Sequence, residues 1–186
     1  MTRYISPKML MCIILMAALP FILSSKARAA SAAELNHEVD QALKTLLGES
    51  ESARTLAEKA KGILVFPTIT KAGFIVGGQY GQGALRVNRK TVGYYSSVAA
   101  SYGLQAGIQK FGYALFFMSD SAMKWLDKSD GWELGSGPSI VVVDVGAAGS
   151  FSTTTAQSNV YAFFFSQKGL MAGIGLQGTK ITKINK

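Results

Sequence analysis

Lys61-Gly62-Ile63-Leu64-Val65-Phe66-Pro67 is where this chain changes character. Four consecutive apolar residues ended by proline read as a short buried strand. Beyond it, β-branched and aromatic residues come in brief segments punctuated by glycine, at about 73–80, 82–87, 92–99, 102–109 and 112–118. Leu104, Ala106 and Ile108 alternate with Gln105, Gly107 and Gln109, the period of a half-buried strand, and Leu170 to Gln177 alternates the same way. Ser139–Val145 and Tyr161–Phe165 are continuously apolar and are expected to be covered on both faces. Strands this dense, without alternating helices, predict an antiparallel sheet that is curled or stacked on itself.

Upstream of Lys61 the pattern is helical. Leu35, Val39, Ala42, Leu43, Leu46 and Leu47 recur at helical spacing over Ala32–Leu47, with Gly48 as a stop. A second, shorter helix is expected over about Ser52–Ala60. One more is expected at Ser119–Leu126, capped by Ser119. The fold class is therefore α+β: N-terminal helices, then a curled antiparallel β-sheet, barrel- or sandwich-like, with one further short helix. The glycines cluster within strands, at Gly73, Gly77, Gly78, Gly81 and Gly83, and again at Gly103 and Gly107. Glycine in a strand packs nothing, so each needs a reason. Either the strands bend and their backbones approach closely, or a glycine-lined groove admits a ligand.

The first 29 residues read as a secretory leader. Arg3 and Lys8 precede an apolar run from Met9 to Leu23, and Ala27-Arg28-Ala29 fits the small-residue cleavage rule. Cleavage is expected after Ala29, or alternatively after Ala32. The apolar run is shorter than the roughly 20 residues that span a bilayer. This divides the chain into a leader at 1–29, a helical segment at 30–61 and a β-rich remainder at 62–186. Loss of the leader removes four of the 19 basic residues and none of the 11 acids, taking the formal charge from +8 to +4. It also removes Cys12, the one cysteine, as suits an oxidising compartment. What charge remains is uneven: acids dominate 30–60 and bases dominate 61–186.

The residues for chemistry are scarce. With one cysteine and one histidine, neither a disulfide framework nor a thiolate- or imidazole-rich metal site is expected. Gly173-x-Gly175-x-x-Gly178 spells a dinucleotide fingerprint, but it lies in a strand pattern eight residues from the end and opens no helix. Gly78-Gln79-Tyr80-Gly81-Gln82-Gly83 lacks the Lys-Ser/Thr of a phosphate loop. His37 falls in an acidic helix pattern and reads as a solvated helix residue. Asp127 and Asp130 sit in a polar turn. Asp144, inside Val141–Val145, would need a partner if buried, and a structural lysine or arginine is the expected one. No catalysis, cofactor or metal is expected. Arg86, Arg89 and Lys90 form a basic turn between two strands, and with Lys71 and Lys168 they are candidates for an anion-binding rim. Anionic headgroups suit such a rim, while no aromatic-basic interleaving supports nucleic acid.

Three ordered stretches carry a resemblance. Lys61–Pro67 runs on to Lys71-Ala72-Gly73-Phe74 and Gly77-Gly78. The second stretch is Ser101-x-Gly103-x-Gln105-x-Gly107. The third is Ser166-x-Lys168-Gly169-Leu170-Met171-Ala172-Gly173. Together they make residues 30–186 resemble the SYLF domain, also called Ysc84-type. The resemblance implies a non-enzymatic domain that binds phospholipid; eukaryotic members bind phosphoinositides, and some bundle actin. For an exported chain the implied partner is anionic phospholipid or a membrane surface in the periplasm or cell envelope, not actin. The family's lipid contact is attributed largely to a basic amphipathic N-terminal segment. Here Glu34–Leu47 has an acidic polar face, so its apolar stripe is expected to pack on the sheet. The rival expectation is an envelope protein that docks a protein partner through its N-terminal helices.

Overall fold

A computed structural model describes residues 31–128, 130–143, 158–168, 176 and 178–186, leaving out the side chains of residues 74, 75, 101–106 and 168. The unit Ser31–Lys186 opens with helix α1, Ala32–Glu49, and helix α2, Glu51–Ala57. Ser31 and Glu34 form a reciprocal capping box at the start of α1, satisfying two backbone donors that the first turn leaves open. Ser50 ends one helix and caps the next. The predicted stripe is on the inside: Leu35, Val39 and Leu46 are buried with Ala53 and Leu56 of α2, and α1 packs chiefly on the first strand.

That strand, β1, runs from Gly62 to Val87 and pairs antiparallel with β2, Lys90–Phe117. The short segments expected from the sequence are thus two very long strands that fold back on themselves. A Cβ on Gly62 would meet the side chains of Leu85 and Val87, one on Gly83 would meet the Val65 carbonyl at 2.3 Å, and one on Gly81 would meet the Thr68 carbonyl at 2.5 Å. The two halves of β1 therefore lie face to face, folded about Gly73–Gly77, where a Cβ on Gly73 would strike the Gly77 backbone. Gly81 and Gly83 serve close backbone approach, the first of the two accounts above. A register shift between Gly73 and Ile75 loosens the pairing at the fold.

The remaining strands extend the two halves in different places. β5, Val160–Lys168, pairs with the second half of β2, and β4, Ile140–Val143, flanks it. β6, Lys180–Ile184, pairs with the first half of β2, and β3, Trp132–Glu133, flanks that. Between β2 and β3 lie helix α3, Asp120–Met123, capped by Ser119 as expected, and a 3₁₀ turn, Lys124–Asp127. The sheet is curled as expected, but β4 and β5 run parallel, so it is mixed. Two local expectations are overturned. β4 is an outer strand, and Val142 is 55% exposed instead of covered on both faces. Ile108 is 71% exposed while Gln109 is 2% exposed, the reverse of the alternation. The pairing is irregular beside it: between the pairs Gly73–Gly107 and Ile75–Gly103 the second strand advances four residues against two in the first, and Gly107 has a φ of +148°. The strand pattern at Leu170–Gln177, Leu176 aside, and Asp144 lie outside the described residues.

The core lies between the layers. Phe66 stacks on Tyr113 at 4.8 Å, Phe117 meets Trp132, and Leu64, Ile69, Leu85 and Tyr95 fill the space. Two polar links cross it: Tyr113 donates to Ser97 Oγ at 2.8 Å and Gln79 Nε2 to Thr179 Oγ1 at 3.2 Å. Burial raises the Tyr113 phenol well above its ordinary 10.0. Burial, and then the charge of Asp127, pushes Tyr95 up to about 12. Both rings stay neutral in the fold at pH values where the unfolded chain ionises them. Their contribution is whole below pH 10 and is lost as pH rises from there through about 12. The urea midpoint should fall steeply above pH 10, and less so in Tyr113→Phe. A midpoint flat over that range would contradict the assignment.

Candidate functional site

Because β1 and β2 double back, the basic residues of this hairpin gather at its two opposite ends, separated by roughly 35 Å of strand at about 3.3 Å per residue. One end holds the β1–β2 turn. Asn88 and Arg89 both have positive φ, 49° and 63°, the pair of left-handed residues that a two-residue hairpin turn demands. Arg86, just before the turn, is 9% exposed. Its guanidinium makes a 2.6 Å ion pair with Asp40, donates to the Asn36 carbonyl at 3.0 Å and donates to Thr91. Thr91 in turn donates to Asn36 Oδ1, and Asn36 Nδ2 to Tyr94. This network clasps α1 to the hairpin. Arg86 is therefore a fastening, not the exposed headgroup ligand the sequence reading makes it.

Beside that clasp lies a cleft of about 800 Å³ between the helices and the two ends of β1. Lys44, Arg54, Lys61, Arg86 and Arg89 line it, against the carboxylates of Asp40 and Glu58. Arg54 donates through Nη1 to the carbonyls of Leu47 and Gly48, closing the end of α1. Lys44, Lys61 and Arg89 are exposed and have no ion-pair partner among the described residues. No local sequence signal links Lys44, Arg54 and Lys61 to the turn, because only the packing of α1 and α2 brings them there.

The other end is the fold of the hairpin. Lys71 pairs with Gln109, and Lys110 with Thr70 on one side and Lys168 on the other. Ile108 and Val76 stand exposed on either side of the fold, and Tyr80 and Val98, directly paired, are exposed further along. The end is a wedge with apolar side chains on both outer faces. Behind it, the buried Gln109 Oε1 has no hydrogen-bond partner among the described residues. Over all of β1 and β2, from Gly62 to Phe117, there are five basic residues and no carboxylate.

The predicted rim thus separates. Arg86, Arg89 and Lys90 are at the turn, with Lys90 exposed but not on the cleft wall. Lys71 and the backbone of Lys168 are at the fold, on either side of β2. His37 is exposed, with its Nε2 2.9 Å from the Gln41 amide nitrogen. Among the described residues no helix is long and apolar enough to cross a membrane.

Residues 98–186 match the family model Ysc84, described as Las17-binding protein actin regulator. The match takes in the second and third of the resembling stretches and not Lys61–Gly78. No curated protein matches the chain.

Proposed function

We propose, on the premise that residues 98–186 of this chain belong to the Ysc84 (SYLF) family, that the protein is a non-catalytic phospholipid-binding protein of the cell envelope, which meets the bilayer with the folded end of its hairpin. The observation that carries this reading is the wedge itself. Ile108, Val76 and Tyr80 are exposed beside Lys71 and Lys110, in a hairpin with no carboxylate to repel an anionic surface. Burying an exposed Val or Ile side chain yields about 1.5–3 kcal/mol, and each lysine near anionic headgroups about 1 kcal/mol. The two terms act together only where apolar and basic groups share one end, as they do here. The acidic N-terminal helix is excluded as the lipid foot, since its apolar stripe is occupied by the sheet. The leader-like pattern of Arg3 to Ala29 supports the envelope part of this reading.

The test is flotation of the purified protein with vesicles. Phosphatidylglycerol-rich vesicles should carry it up the gradient at low salt, less of it at high salt, and pure phosphatidylcholine vesicles far less. Protein left at the bottom with every composition would end the reading. One observation favours a second role: Glu34, Glu38 and Glu49 remain exposed on α1 and α2 is short and well capped, which leaves an ordered acidic face for a basic protein partner. Recovery of one envelope protein by the immobilised chain, abolished by Glu34→Lys/Glu38→Lys and indifferent to lipid, would establish it.

A further inference from the structure

We propose that the cleft at the turn end is a second binding site, independent of the membrane-facing wedge, and that its ligand is a small organic anion carrying a phosphate group. Four observations converge on it. The cleft is concave and, at about 800 Å³, within the 300–1,000 Å³ typical of small-molecule sites, far larger than a bare inorganic anion needs. Five cationic side chains against two carboxylates line it, and one of those carboxylates, Asp40, is already engaged by Arg86. Lys44, Lys61 and Arg89 bring their charge to the wall with no ion-pair partner among the described residues, an arrangement that is self-repelling until an anion enters. At the wall the buried Arg86 also keeps one donor, Nε–H, with no acceptor among the described residues, where a satisfied structural arginine would use it.

The turn supplies the reason to read this as a site rather than a chance of packing. Arg89 holds φ at +63°, a conformation that glycine adopts freely and a residue with a Cβ does not. Glycine is the ordinary occupant of that turn position. Here the position carries a guanidinium, whose planar fork matches a phosphate's oxygens, and the fixed turn holds it over the cleft. Apolar Leu43, Leu47 and Ala57 on the same wall suit the carbon skeleton of the ligand.

Calorimetric titration of the purified protein with inositol hexakisphosphate, and with inorganic phosphate as the minimal probe, tests the proposal. The first should bind saturably. Lys44→Glu and Arg89→Gly should each weaken it about tenfold or more, while Lys71→Glu/Lys110→Glu at the far end should leave it unchanged. Arg89→Gly should also melt higher than the parent, because it relieves the turn, so its lost affinity cannot be unfolding. Vesicles containing phosphatidic acid separate the sources of the phosphate. Weaker capture by Arg89→Gly means that the group arrives on a lipid, and undiminished capture alongside lost soluble binding means a soluble ligand. Absence of saturable binding to either soluble probe, or equal weakening by the far-end pair, would overturn the proposal and leave the membrane reading untouched.

Discussion

Replacing Gly83 with valine should destabilise the protein by about 3 kcal/mol, the upper part of the usual overpacking range, out of a total stability that for a domain is typically about 5–15 kcal/mol. The first atom beyond the backbone already lies 2.3 Å from the Val65 carbonyl and 2.7 Å from the Phe66 ring. Neither can retreat. Val65 is paired with Ala114 in the ladder, and Phe66 is wedged against Tyr113 in the core. The two halves of β1 must move apart, and everything between them loosens with them. Gly78→Ala is the matching control, since there the added methyl meets only the Ala99 carbonyl at an ordinary 3.7 Å, and its effect should stay within about 1 kcal/mol. Urea unfolding of the two variants beside the parent measures both. Equal losses would mean that the strand does not double back where the structure has it.

The second large effect concerns binding. Lys71→Glu/Lys110→Glu should reduce affinity for phosphatidylglycerol-rich vesicles roughly a thousandfold. Each reversal removes an attraction of about 1 kcal/mol and adds a repulsion of similar size, so the pair amounts to about 4 kcal/mol. Lys110 is exposed and Lys71 half-buried, and neither has an ion-pair partner among the described residues, so the fold should tolerate the change. Loss by the same factor from Lys44→Glu/Arg89→Glu, with the far-end pair indifferent, would move the membrane contact to the opposite end of the molecule.

Much of this was legible residue by residue. The helical stripe from Leu35 to Leu47 declares itself because a buried helix face must recur at its own period, and Ser119 shows as a cap because the first turn leaves donors open. The alternation through Ile108 and Gln109 misled. Periodicity says which residues share a face but not which face turns inward, and here Gln109 shares the buried face with Phe111 and Tyr113 while Ile108 faces out. Arg86 misled differently. Two residues before a polar turn it reads as solvated, and nothing local announces that Asp40, 46 positions earlier, comes to lie against it.

Local composition by itself determined what kind of elements form, their order, and the shortage of reactive groups, because propensity, capping and period are properties of neighbours along the chain. Only the tertiary structure decided that two strands fold double at Gly73–Gly77, and hence which charges share an end. Lys61 and Arg89 stand 28 positions apart in the chain yet face one cleft, while Lys71, between them in sequence, is carried to the far end. That sorting depends on where backbones can approach within van der Waals contact, a condition set by Gly81 and Gly83 together with the strand half they face. No stretch read alone contains both partners.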